Sequence, residues 1–106
     1  MVELSPQQAR IVDGILSALA SDCEVSMFGS RAMGTAKPWS DLDLLVRGNA
    51  ELSMKRIWKF QEAFEDSDLR FRVDGVDWHA ITDTFRNRIL PQVVVIWPPL
   101  VVQRDG

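Results

Sequence analysis

The sequence predicts an α/β (α+β) fold: a small mixed sheet of about four strands with helices packed on one face. Three observations predict it. Apolar residues recur at helical spacing in three stretches, and short apolar or alternating runs lie between them. Glycine, proline and asparagine separate the runs. The predicted order is α-β-β-α-β-α-β.

The first helix opens at Ser5-Pro6-Gln7-Gln8. Ser5 can cap, Pro6 suits the first helical position, and Gln8 can close a capping box. Ile11, Val12, Ile15, Leu16 and Leu19 follow at helical spacing, and Gly14 weakens the helix slightly. Glu24 to Phe28 alternates and reads as a strand that Gly29-Ser30 ends. Arg31 to Ser40 is a loop or a turn of helix, broken by Gly34, Lys37 and Pro38. Asp41 to Val46 is the second strand, and Gly48-Asn49 a turn. Met54, Ile57, Trp58, Phe60 and Phe64 mark a helix from about Ser53 to Asp66. Leu69 to Val76 is a third strand. Thr82-Asp83 starts a third helix with Phe85 and Ile89 inward, stopped by Pro91. Val93 to Trp97 is a last strand, closed by Pro98-Pro99 and followed by a loose tail.

The 106 residues suit a single domain, 1–106, with a modest core. Their 46% hydrophobic content is too interrupted for a membrane span, so no membrane partner is expected. The opening residues carry no secretion pattern. A single cysteine, Cys23, cannot form an internal disulfide, which fits a reducing, cytoplasmic location. The net charge of -3 argues against direct DNA binding.

The chemistry concentrates in one stretch. Gly29-Ser30 follows an apolar strand, and Asp41-Leu42-Asp43-Leu44-Leu45-Val46 follows a short loop. A glycine there lets backbone approach a ligand, and free N–H groups can hold phosphate oxygens. Ser30 adds a hydroxyl, and Arg31 or Lys37 can neutralise phosphate charge. By itself Gly-Ser is just a turn. Asp41 and Asp43 share one strand face, where carboxylates are costly unless paired or metal-bound. Such hard oxygen ligands suit Mg²⁺. The bland alternative is that Asp41 caps a loop and Asp43 sits on a solvated face. A two-metal site needs a third acid. Asp74 interrupts the third strand and can supply it, and Gly75 beside it leaves room for a ligand or another backbone. Asp77, on the opposite pleat face near the strand end, is the competitor. His79 reads as a surface or satisfied residue, and Cys23 as a core one. Trp39 can stack on a base or pack. Lys55, Arg56 and Lys59 read as a solvated helix face.

Gly29-Ser30, ten residues, then Asp41-Leu42-Asp43 resembles the G-S-x10-D-x-D signature of minimal nucleotidyltransferases, within the DNA polymerase β-like nucleotidyltransferase superfamily. Gly34, Ser40, Leu44 and Val73-Asp74 also resemble that family, and the likeness spans nearly the whole chain. It implies a nucleotidyltransferase core in which Asp41, Asp43 and Asp74 hold Mg²⁺ and act in catalysis. Gly29 and Ser30, with Arg31, would seat ATP. An acceptor hydroxyl would attack the α-phosphate, pyrophosphate would leave, and Asp74 would draw the acceptor proton. Met33 stands where related proteins often carry arginine. With no acceptor-binding domain in the sequence, a partner protein is expected to supply the acceptor. Similar minimal nucleotidyltransferases are antitoxins of HEPN-domain ribonucleases, which they silence by AMP transfer to a tyrosine. Two alternatives stay open: a binding antitoxin that neutralises by complex formation through Val93–Val102 and the tryptophans, and an enzyme for a small hydroxylated molecule. A homo-oligomer also stays open.

Overall fold

The computed structural model describes residues 4–98. The tail expected after Pro98, and the part of Val93–Val102 beyond it, lie outside the described residues. Helix α1 spans Pro6–Leu19 and begins with the expected capping box. The Gln8 amide donates to Ser5 Oγ at 3.1 Å, and the Ser5 amide donates to Gln8 Oε1 at 2.9 Å. These bonds satisfy two polar groups that a helix start leaves open. Strand β1 is Glu24–Phe28, and a one-turn helix α2, Ser30–Met33, follows Gly29 directly. Strand β2 is Leu42–Arg47, helix α3 Met54–Glu65, and strand β3 Val73–Asp77. Helix α4 is Asp83–Ile89, capped by Thr82, whose Oγ1 accepts the Phe85 amide at 3.1 Å. A 3₁₀ turn, Leu90–Gln92, leads into strand β4, Val94–Trp97.

The four strands form one mixed sheet in the order β3-β2-β1-β4. β1 is antiparallel to both β2 and β4, whereas β2 and β3 run parallel. The parallel pair is made possible by α3, which supplies the crossover that parallel strands need.

The helices do not all lie on one face, as the sequence reading has it. Val25, Met27, Leu42, Leu44, Val46 and Val73 point to one side and pack with Val12 and Leu16 of α1 and Phe60 and Phe64 of α3. Phe28 and Leu45 point to the other side and pack with Ile89 and Phe85 of α4. The Phe28 and Phe85 rings meet edge to face at 6.0 Å. Period-2 alternation explains this: both faces of β1 and β2 carry large apolar residues, so both need cover. α4 covers only part of its face, and Asp43 of β2 and Asp74 of β3 emerge on that same side.

β3 is shorter than the Leu69–Val76 strand predicted, and it includes Asp77. Phe71 is buried ahead of it, and Arg72 O accepts the Leu42 amide at 2.8 Å. Gly75 leaves no room for a ligand. A Cβ there would stand 2.9 Å from Cε1 of Phe60, so the space belongs to the α3 ring.

Candidate active site

Phe28 pairs with Asp43 across β1 and β2, and Asp43 pairs with Asp74 across β2 and β3. Three adjacent strands thus bring Gly29, Asp43 and Asp74 to one place. Asp43 and Asp74 sit directly opposite each other and point to the same face, since facing residues in a sheet share a side. Asp41, two residues before Asp43, lies on that side just ahead of the strand and is exposed. Asp43 is half-buried and Asp74 exposed.

The electrostatics record this crowding. Burial, and then the charges of Asp74 and Asp41, push the Asp43 carboxyl above its ordinary value of 3.8. The Arg72 charge pulls it back. Like charges around a half-buried acid favour its proton, and a cation placed among them relieves the repulsion. Among the described residues, no three His, Cys, Asp or Glu side chains close into a ready metal cage. Mg²⁺ does not demand one, because it completes its shell with water and substrate phosphates.

Gly29 has φ +77°, a conformation that L side chains rarely adopt. A Cβ at this position would collide with Asp43 Oδ2. The backbone of the turn therefore lies against the β2 carboxylate, and only glycine permits it. The Gly29 amide is not open to a ligand, as it donates to Gln92 Oε1 at 2.6 Å. Ser30 comes next, at the head of α2.

Arg31 is placed differently from the sequence expectation that it helps seat ATP. It is buried, with 4% exposure. Its Nε and one terminal nitrogen donate to Ser40 O at 3.1 and 2.9 Å, and the same terminal nitrogen reaches Pro38 O at 3.2 Å. The guanidinium stacks on Phe71, 3.9 Å from the ring centroid. It straps down the segment that leads into Asp41. Ser40 closes the same segment: its Oγ accepts the Lys37 amide at 2.8 Å, and its amide donates to Lys37 O at 3.0 Å.

Asp77 is also accounted for. It is buried on the opposite pleat face, where Oδ2 accepts the Leu52 amide at 2.8 Å and Oδ1 the His79 amide at 3.0 Å. His79 Nε2 donates to Gly48 O at 2.8 Å. Both side chains fasten the turn after β2, away from the acid pair.

Residues 23–98 match the family described as polymerase beta, nucleotidyltransferase. The chain belongs to the polymerase beta nucleotidyltransferase family. Like other members of that family it is a nucleotidyltransferase. It is 39% identical over 95 residues to the probable protein adenylyltransferase MntA of Haemophilus influenzae, covering 90% of this chain and 83% of that protein. It is similar to a crystal structure of a toxin–antitoxin with AMP-PNP, at a TM-score of 0.72 and 22% identity over 84% of this chain and 72% of that one. A second neighbour is the tri-AMPylated Shewanella oneidensis HEPN toxin in complex with MNT antitoxin, at a TM-score of 0.63 and 19% identity over 84% of this chain and 68% of that one. At these identities the likeness to solved structures speaks for the fold.

Two residues of this polymerase beta nucleotidyltransferase chain escape a reading of the sequence. Arg72 had a usable signal, since its even spacing from Asp74 puts both on one side of an extended segment. Gln92 had none, because a glutamine after a proline is unremarkable until the fold sets it beside Gly29. Trp39 is not a packing residue: it is 73% exposed, in the loop just before Asp41.

Proposed function

We propose that this chain transfers AMP from ATP to a hydroxyl of a partner protein, as the antitoxin of a HEPN-domain toxin. The observation that carries the reading is the alignment of Gly29, Asp43 and Asp74 across three adjacent strands. The 39% identity to a probable protein adenylyltransferase supports the choice of a protein acceptor.

Asp41, Asp43 and Asp74 would hold Mg²⁺, and the donor chemistry fits: hard oxygens, with the Asp43 carboxyl crowded by like charge. When bound, Mg²⁺ neutralises charge on the triphosphate and on the developing transition state. Ser30 donates to the phosphates. Gly29 lets the backbone lie close enough for that contact. The acceptor oxygen forms a bond to the α-phosphorus, the bond from that phosphorus to the bridging oxygen breaks, and pyrophosphate leaves. Asp74, exposed at the rim, takes the acceptor's proton. Arg72 offsets part of the acid charge near Asp43.

The test is intact-mass spectrometry of the partner after incubation with this chain, Mg²⁺ and ATP. The partner gains one or more AMP units. Asp41→Asn and Asp43→Asn each lower the rate by about 10³-fold or more, the loss expected when charge stabilisation worth several kcal/mol is removed. Full activity in either variant refutes its assignment.

A second reading, neutralisation by binding alone, draws on one observation. β4 is an outer strand of the sheet, and Val95 on it is 47% exposed. An Asp43→Asn chain that still suppresses the partner without mass gain selects that reading.

A further inference from the structure

The residue that grips the Gly29 turn comes from the far side of the chain. β1 and β4 pair Ser26 with Val95 and Met27 with Val94. Continuing that register past Phe28 sets Gly29 opposite Gln92. At that point the backbone of residues 90–92 has curled into a 3₁₀ turn, and it is the Gln92 side chain that meets Gly29. Its Oε1 accepts the Gly29 amide at 2.6 Å, a partly buried contact between residues 63 apart in sequence. The donor fixes the orientation of the carboxamide, because a backbone N–H requires the oxygen.

Gly29 has a second close neighbour. Its Cα lies against the Asp43 carboxylate, so closely that a Cβ could not be inserted. One glycine therefore touches the crowded acid on one side and is held by Gln92 on the other. At φ +77° its own conformational freedom is wide, and no side chain caps α2 at this point. Something outside the turn must fix the plane of its amide. Among the described residues, the bond that this amide donates to Gln92 Oε1 does so.

We propose that Gln92 is a positioning residue for nucleotide binding: it withdraws the Gly29 amide from the substrate and fixes the turn, so that Ser30 presents its donors to the phosphates at a set distance from Asp43. The proposal rests on the reading of Gly29-Ser30 as the phosphate turn. Gln92 acts through Gly29 and takes no part in the chemical step.

The experiment uses the full chain and two readouts: hydrogen exchange of the Gly29 amide by NMR, and the dissociation constant for ATP with Mg²⁺ by calorimetry. Gln92→Met keeps length and shape and removes the acceptor. Exchange at Gly29 then speeds by about tenfold, and ATP binds about five- to tenfold more weakly, the range that follows from losing one hydrogen bond. Gln92→Glu keeps an oxygen acceptor and retains slow exchange. Far-UV circular dichroism of the variants matches the parent, which separates loss of positioning from loss of fold. If Gln92→Met does not fold, Gln92→Asn, whose shorter amide falls short of Gly29, is measured in its place. Unchanged exchange at Gly29, or unchanged ATP affinity once exchange has sped up, overturns the role of Gln92. A parent chain that binds no ATP overturns the phosphate-turn reading and this proposal together.

Discussion

Asp43 stands at the centre of a conflict between stability and use. Burial and the charges of Asp74 and Asp41 all raise its pKa above 3.8. The unfolded chain does not suffer this crowding, so an ionised Asp43 costs the fold free energy. The sign follows directly. The penalty is absent when the group is protonated in both states, grows as pH rises through 3.8, and is complete above the folded-state value. Asp43→Asn has the shape of a carboxyl group and no charge. In metal-free buffer at pH 7 it should melt higher than the parent, by about 3 °C. The gain should fade as pH falls toward 3.8. Thermal melts at several pH values check this, and a variant that melts below the parent at pH 7 refutes it. The aspartates were legible in the sequence because a strand's period of two puts alternate residues on one face. The burial of Arg31 was not: an arginine in a four-residue helix looks the same whether it faces water or carbonyl oxygens.

At the scale of elements, the segment from α2 to β2 decides how Asp41 is presented. It has no helix or strand of its own between Met33 and Leu42. Its shape comes from Arg31, which gathers the carbonyls of Pro38 and Ser40 and stacks on Phe71. A lysine has no planar fork and cannot reproduce these bonds together. Arg31→Lys should therefore cost about 2 kcal/mol of stability, since the partly buried carbonyls of Pro38 and Ser40 lose charged donors and Phe71 loses its stacking partner. It should also lower AMP transfer, because Asp41 follows Ser40 immediately. Denaturant titration and the partner mass assay measure the two effects. The long helices were legible from apolar spacing. α2 was legible only as one of two readings, a loop or a turn of helix, because one turn is too short to show a period. The late start of the predicted third strand had a different cause: among the described residues, Leu69–Arg72 has strand-like alternation but no strand partner beyond the Leu42 contact.

On the scale of the whole molecule, helices pack on both faces of the sheet, and side-chain bonds tie elements that lie far apart in sequence. Gln92 ties the approach to β4 to the turn after β1. Arg56 ties α3 to Asp22, at the turn between α1 and β1, and also donates to Leu19 O at 3.3 Å. The sequence reading put Arg56 on a solvated face with Lys55 and Lys59; the fold gives it a partner. The hydrogen bond from Arg56 holds the Asp22 carboxyl down to about 2. A depressed acid stabilises the fold above its unfolded value of 3.8, and that support is lost as pH falls toward about 2. Asp22 is 58% exposed, so the pair contributes no more than about 1 kcal/mol. Asp22→Asn should melt slightly below the parent at pH 7, with the gap closing between pH 3.8 and about 2. Equal melting temperatures across the whole range would show that the pair contributes nothing.

The sequence by itself determined the order of elements, the turn that only glycine allows, and the acids that face one way. Each depends on local rules: capping, periodicity and the sterics of a Cβ. The tertiary structure decided which acid belongs with which. Asp74 and Asp77 sit in one short strand, and no local rule separates a pair opposite Asp43 from a clasp on Leu52 and His79. Only the register of β2 against β3 does. The same holds for Gly75, whose space is filled by Phe60, and for Gln92, brought to Gly29 by the β1–β4 register. Contacts between residues far apart in sequence are set by how the layers stack, and that information is spread over the whole chain.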